Sequence, residues 1–162
     1  MVMRAWFDIL DMDLKRNFDL ERFLESADHL RTLIDREIQA GIPSERIVVA
    51  GFSQGGAVAL HTGLRHEHKL AGIIGLSTFL PMADSTADER SSINADTPVF
   101  MGHGTVDPMV PITAGIEARQ ELTRLNYDVS WQDYPIPHSV CPEEIEDIRN
   151  WLVNVLMPRT RS

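Results

Sequence analysis

Arg46-Ile47-Val48-Val49-Ala50 runs straight into Gly51-Phe52-Ser53-Gln54-Gly55-Gly56, and that stretch into Ala57-Val58-Ala59-Leu60. The first segment is short, apolar and β-branched, as a buried strand requires; the last has the composition of a helix. Between them, Gly-x-Ser-x-Gly in a strand–turn–helix context reads as a nucleophile elbow, a sharp turn that lifts a serine hydroxyl above the end of a sheet. Glycines are expected at Gly51 and Gly55 because a Cβ there would meet the tightly folded backbone. A chance match in a Gly/Ser-rich loop is the alternative, and the strand before and helix after the motif favour the elbow.

Outward from the elbow, the chain alternates. Asp19 can cap a helix reaching about Ala40, with Leu20, Phe23, Leu24, Ala27, Leu30, Ile34 and Ile38 on one face, and Gly41 and Pro43 stop it. The helix after Ser53 runs to about Arg65, and residues 70–77 form an apolar run suited to a strand covered on both faces. Residues 81–95 read as a polar, irregular excursion, and 98–102 as a second buried strand ending in His103-Gly104. Pro111 starts a helix to about Leu125, 129–134 is a strand, and Pro142 opens a last helix carrying Ile145, Ile148, Trp151, Leu152 and Val155 inward. This order predicts an α/β fold in three layers around a mostly parallel sheet, in one domain over 1–162. Residues 1–18 are the least readable part, and the tail 158–162 is expected to fray.

Composition narrows the classes of function. The 162 residues are 43% hydrophobic and 24% charged, ordinary for a globular protein with one core. A formal net charge of −9 disfavours nucleic acid and anionic membrane as partners. The single cysteine, Cys141, permits no internal disulfide and suits a reducing compartment. With no signal peptide and no apolar run long enough to span a bilayer, the expectation is a cytoplasmic protein without stable membrane insertion.

A serine hydroxyl needs a neighbouring base, and the base an orienting acid. Asp107 follows the strand ending at Met101, and His138 follows the strand ending near Tyr134, so each lies just past a carboxyl strand end, where the active-site groups of open parallel sheets collect. Asp84 and Asp88 also follow a strand but read as solvated charges of the excursion. Among the other histidines, His29, His61, His66 and His68 lie on or just past helices, with His66 and His68 read as solvated; a metal site from His61, His66 and His68 fits no zinc spacing. His103 sits at a strand end and is expected to hold its loop by hydrogen bonds. Cys141 lacks an elbow of its own and reads as a packed thiol. The expected chemistry is acyl transfer, in which His138 takes the Ser53 proton, Asp107 fixes the imidazole, the Gln54 N–H supplies one oxyanion donor, and water releases the acyl group.

With these residues placed, the chain resembles the carboxylesterase, acyl-protein thioesterase and phospholipase family of small α/β-hydrolases. The resemblance rests on Gly51 to Gly56, Ser77-Thr78-Phe79-Leu80-Pro81, His103-Gly104 through Asp107 with Val110-Pro111, Tyr134-Pro135 with His138-Ser139-Val140, and Trp6-Phe7-Asp8. It implies hydrolysis of carboxylic esters, and also of thioesters, without a cofactor or metal, with Trp6, Phe79 and Leu80 lining the acyl pocket unless they belong to the core. Two departures stand out. Pro137 replaces the glycine usual before the histidine, and the strands and His-Gly-x-Gly loop that usually precede the elbow have no counterpart, so the fold is expected to be N-terminally shortened. The missing strands would bare the edge of the elbow strand, which predicts a homo-oligomer through that edge or coverage of it by residues 1–10. A non-catalytic hydrolase-like binding module with an incomplete oxyanion hole, and a lactone or dienelactone hydrolase, are the competing readings.

Overall fold

The structure, a computed structural model, describes residues 19–157. The expectations for Trp6, for the rest of 1–18 and for 158–162 lie outside these residues. Five helices alternate with four strands: α1 (Leu20–Gln39), β1 (Val48–Phe52), α2 (Gln54–Arg65), β2 (Gly72–Leu76), α3 (Ala83–Glu89), β3 (Val99–Gly104), α4 (Ile112–Arg124), β4 (Val129–Tyr134) and α5 (Pro142–Leu156). The strands pair in sequence order β1-β2-β3-β4, all parallel, with Val48 opposite Gly72, Ile73 opposite Val99 and Val99 opposite Val129. Among the described residues, β1 is therefore an edge strand.

Alternation along the strands sorts the layers. On one face, Ile73 touches the α2 position Gly63, and Gly75 lies under Leu60. Val49, Ile73, Val99 and Met101 join Leu60 and Leu64 of α2 and Ala118 and Leu122 of α4 in the main core. On the opposite face, Gly72 lies against the Trp151 ring, Phe100 packs 5.9 Å from that ring, and Gly102 faces Glu144, so α5 covers this side. Two helical layers on a parallel sheet are the three layers the sequence predicts.

Four sequence expectations are corrected. In α1 only Phe23, Ala27 and Ile34 are buried, while Leu20 and Leu24 are 44% and 39% exposed, because the helix packs mainly on α2 and covers a narrow seam. Its C-terminal end is as read: Gly41 has φ 103 and donates to Ile38 O, the left-handed cap that releases a helix. The excursion 81–95 contains α3 and a 3₁₀ turn, Ser92–Asn94. Asp84 and Asp88 are exposed, as read, but Asn94 is buried: its Oδ1 accepts from Leu70 N (2.9 Å) and Thr97 Oγ1 (2.7 Å), and its Nδ2 donates to the His66 and His68 carbonyls (both 2.9 Å). His66 is buried rather than solvated, its Nδ1 accepting from His68 N and its carbonyl from Asn94, while His68 stays exposed as read. In α5, Ile148, Trp151, Leu152 and Val155 are half-buried as read, but Ile145 is 56% exposed and Glu144 beside it is fully buried, because position 144 is the one that faces Gly102 of β3.

Candidate active site

Ser53 stands between β1 and α2 with φ 56 and ψ −118, a left-handed conformation that costs a non-glycine residue about 1–3 kcal/mol. The surroundings hold it there. Ser53 N donates to Leu76 O of β2 (2.8 Å), Thr78 Oγ1 donates to Ser53 O (2.7 Å), and Ala57 N closes the first turn of α2 onto the same carbonyl (3.2 Å). The glycine requirement differs from the sequence reading. A Cβ on Gly51 would lie 2.0 Å from the carbonyl carbon and oxygen of Gly55, and one on Gly56 would lie 2.8 Å from Thr78 Cβ, whereas one on Gly55 meets nothing within 4 Å. Gly55 is the residue approached, not the one that approaches. Gly51→Ala is thus expected to lower the melting temperature sharply or prevent folding, since backbone cannot yield as a flexible side chain does. Gly55→Ala is expected to leave it equal or raise stability by about 0.5–1 kcal/mol through reduced unfolded-state freedom. Thermal melts of the two variants check this, and equal losses would refute it.

Asp107 lies in the loop after β3 with its carboxylate buried. Oδ1 accepts from Met109 N (2.8 Å) and Val110 N (2.9 Å), leaving Oδ2 for the His138 Nδ1–H at 2.7 Å. That donor assigns the proton of a neutral His138 to Nδ1 and makes Nε2 the basic nitrogen. The two loops are laced together. Thr105 N donates to Tyr134 O (2.8 Å) and Val106 N to Ile136 O (3.3 Å), while a Cβ on Gly104 would stand 2.3 Å from Ile136 O. Pro137, which has no N–H to place, contributes its carbonyl instead, accepting from Ser139 N (2.9 Å).

The His138 ring packs against Phe52, the residue before Ser53, with centroids 4.7 Å apart. Ser53 Oγ is buried and makes no hydrogen bond among the described residues. The fold thus brings Asp107 and His138 into direct contact and sets the imidazole beside the elbow, with no Ser53–His138 hydrogen bond formed. Gln54 opens α2, where the first backbone N–H groups lack helical partners. Phe79 and Leu80 are each 8% exposed, Phe79 packing with Phe23, Ala57 and Val110 and Leu80 in the main core. Cys141 is half-buried at the N-cap of α5.

Among groups the sequence left unassigned, Thr78 and Glu144 matter most. Thr78 was legible only as part of a family segment, and nothing in the local sequence says that its methyl roofs Gly56. Burial, with Arg65 nearby, brings His61 down to about 4, so its imidazole is neutral at neutral pH. A cleft of about 530 Å³ lies at the opposite, amino end of the strands, between Glu45, Lys69, Asp96, Asp128 and Trp151; none of the triad candidates reaches it. Among the described residues no cluster of three or more side chains is arranged to hold a metal ion, and no helix is long and apolar enough to cross a membrane.

A parallel sheet with helices on both faces and a strained serine between strand and helix define the α/β-hydrolase fold. The phospholipase/carboxylesterase family pattern matches residues 1–156, and the chain belongs to that family of hydrolases. It is 41% identical to acyl-protein thioesterase 1 of Neurospora crassa over 96% of this chain and 67% of that protein. It is 43% identical to acyl-protein thioesterase 1 of Gibberella zeae over 98% of this chain and 71% of that protein. The crystal structure of Arabidopsis thaliana SOBER1 superposes with a TM-score of 0.79 at 31% identity, covering 83% of this chain and 64% of that one. The chain thus spans roughly two thirds of the length of these relatives.

Proposed function

We propose that Ser53, His138 and Asp107 act as a catalytic triad that hydrolyses carboxylic esters or thioesters through an acyl-enzyme. The observation that carries this reading is the 2.7 Å contact between Asp107 Oδ2 and His138 Nδ1 beside a serine held at positive φ. In the proposed cycle, His138 Nε2 takes the Ser53 proton as Oγ attacks the acyl carbon. The carbonyl oxygen becomes the oxyanion and is met by the Gln54 N–H. The protonated imidazole then passes the proton to the leaving alkoxide or thiolate, and a water molecule activated by the same nitrogen cleaves the Ser53 ester. The Ser53–His138 hydrogen bond forms when substrate closes the site, as catalytic hydrogen bonds of unliganded enzymes often tighten only in the complex. The names of the thioesterase relatives support an acyl thioester as one substrate class.

The test is turnover of aryl esters and acyl thioesters of increasing chain length, together with labelling by a fluorophosphonate probe. Labelling confined to Ser53 with measurable turnover is the expected result. Folded protein with neither would overturn the reading in favour of a binding module that keeps the triad geometry.

A further inference from the structure

We propose that His103 is a positioning residue: its Nε2–H tethers the Val110 carbonyl and thereby fixes the Asp107 carboxylate on which His138 is set. The inference rests on the triad reading above and adds to it a fourth side chain that does not meet the substrate.

The chain of contacts is short. His103 is the penultimate residue of β3, 1% exposed, and its Nε2 lies 2.8 Å from Val110 O. A carbonyl can only accept, so Nε2 carries the proton. Val110 in turn gives its N–H to Asp107 Oδ1, 2.9 Å away, so one residue is gripped at both its carbonyl and its amide. The same Nε2 is 3.7 Å from Asp107 Oδ2, too far for a hydrogen bond but close enough for the two to interact electrostatically.

The ring is wedged. Trp131 of β4 stacks on it with centroids 6.3 Å apart, and on the α4 side a Cβ at Gly115 would stand 2.6 Å from Nδ1. Only a residue without a side chain at 115 leaves room for an imidazole here. An aliphatic side chain would fill the space more simply, and burying a polar ring without a purpose is costly.

Two imidazoles therefore flank one carboxylate, and their charge states must differ for the triad to work. Burial holds His103 below the usual imidazole range, against the opposing pulls of the Val110 carbonyl and Asp107. An uncharged His103 orients Asp107 while leaving its negative charge to stabilise the imidazolium that forms at His138. A charged His103 would compete for that carboxylate.

The experiment compares His103→Leu with His103→Gln, whose side-chain amide can place an N–H near the position of Nε2. In His103→Leu the Val110 carbonyl loses its donor and Asp107 is free to drift. The kcat is expected to fall about 10–100-fold, as a displacement of order 1 Å can produce. KM should stay within about threefold, since no substrate contact is removed. The acid limb of the kcat/KM profile should move, and the downfield NMR resonance of the proton between His138 Nδ1 and Asp107 should shift or broaden. His103→Gln should recover most of the rate and the resonance. Should His103→Leu fail to fold, Gly115→Ala keeps the imidazole but collides with its Nδ1 and displaces the ring from the Val110 carbonyl geometry, and should show the same loss of kcat and shifted resonance. Folded variants with wild-type kcat and resonance, or equal losses in the Leu and Gln forms, would overturn the proposal. If the wild-type protein shows no Ser53-dependent turnover, the hydrolase reading fails, and the resonance alone decides whether His103 holds Asp107.

Discussion

Ser53→Ala is expected to lower ester or thioester hydrolysis by about 10⁴-fold or more, while leaving the protein at least as stable as the parent. The first half follows from the proposed triad: without Oγ the proposed acyl-enzyme cannot form, and what remains of transition-state binding has no nucleophile to serve. The second half follows from the site's geometry. Ser53 Oγ is buried and makes no hydrogen bond to any described residue, so its removal forfeits no hydrogen bond to them and relieves a desolvated hydroxyl, a gain of about 1 kcal/mol. Ser53→Gly goes further, because φ 56 suits glycine; it should raise the melting temperature while remaining inactive. Activity assays beside calorimetry of both variants check this. A variant that loses stability in step with activity would mean that Ser53 is structural.

The other large effect is on stability and comes from Glu144. It is the third residue of α5, fully buried against the Gly102 backbone, and neither carboxyl oxygen has a hydrogen-bond partner among the described residues. The start of a helix favours negative charge by about 0.3–1 kcal/mol. Burial outweighs that and, with the Asp147 carboxylate one turn away, pushes Glu144 up from 4.5 to about 7. Between those two values the folded chain holds more protons than the unfolded chain, so stability falls as pH rises and levels off above about pH 7. At about 1.4 kcal/mol for each pH unit, the loss is about 3 kcal/mol. Glu144→Gln keeps the shape and cannot ionise. It should match the parent near pH 4.5, where Glu144 is protonated in the fold, and exceed it at pH 8 by about 6–12 °C in melting temperature. Melts of the pair across pH 4.5–8 read the difference directly. A gap that does not grow with pH would show that Glu144 reaches water or a cation.

Local pattern carried the fold far. The β-branched strand before Gly51, the apolar run through Ile73 and Ile74, and proline or aspartate at helix starts each specify their element from residues within a few positions. The errors have one source. Leu24 and Ile145 are apolar on the right kind of element, but exposure depends on how wide a seam the neighbour covers, and α1 rests mainly on one helix. The excursion 81–95 reads as loop because its polar residues include Asn94, whose four hydrogen bonds run to residues 66, 68, 70 and 97. A side chain's partners across the fold leave no trace in the residues beside it.

The same division holds at the site. Sequence by itself singled out a serine, an acid and a histidine in that order, because each proposed role needs its residue type just past a strand end, and strand ends are local. Only the tertiary structure decided which glycine must lack a side chain, that Glu144 rather than Ile145 turns inward, and that Asp107 is gripped through Val110 by His103. These depend on close approaches between segments distant along the chain, where a few tenths of an ångström separate a contact from a collision.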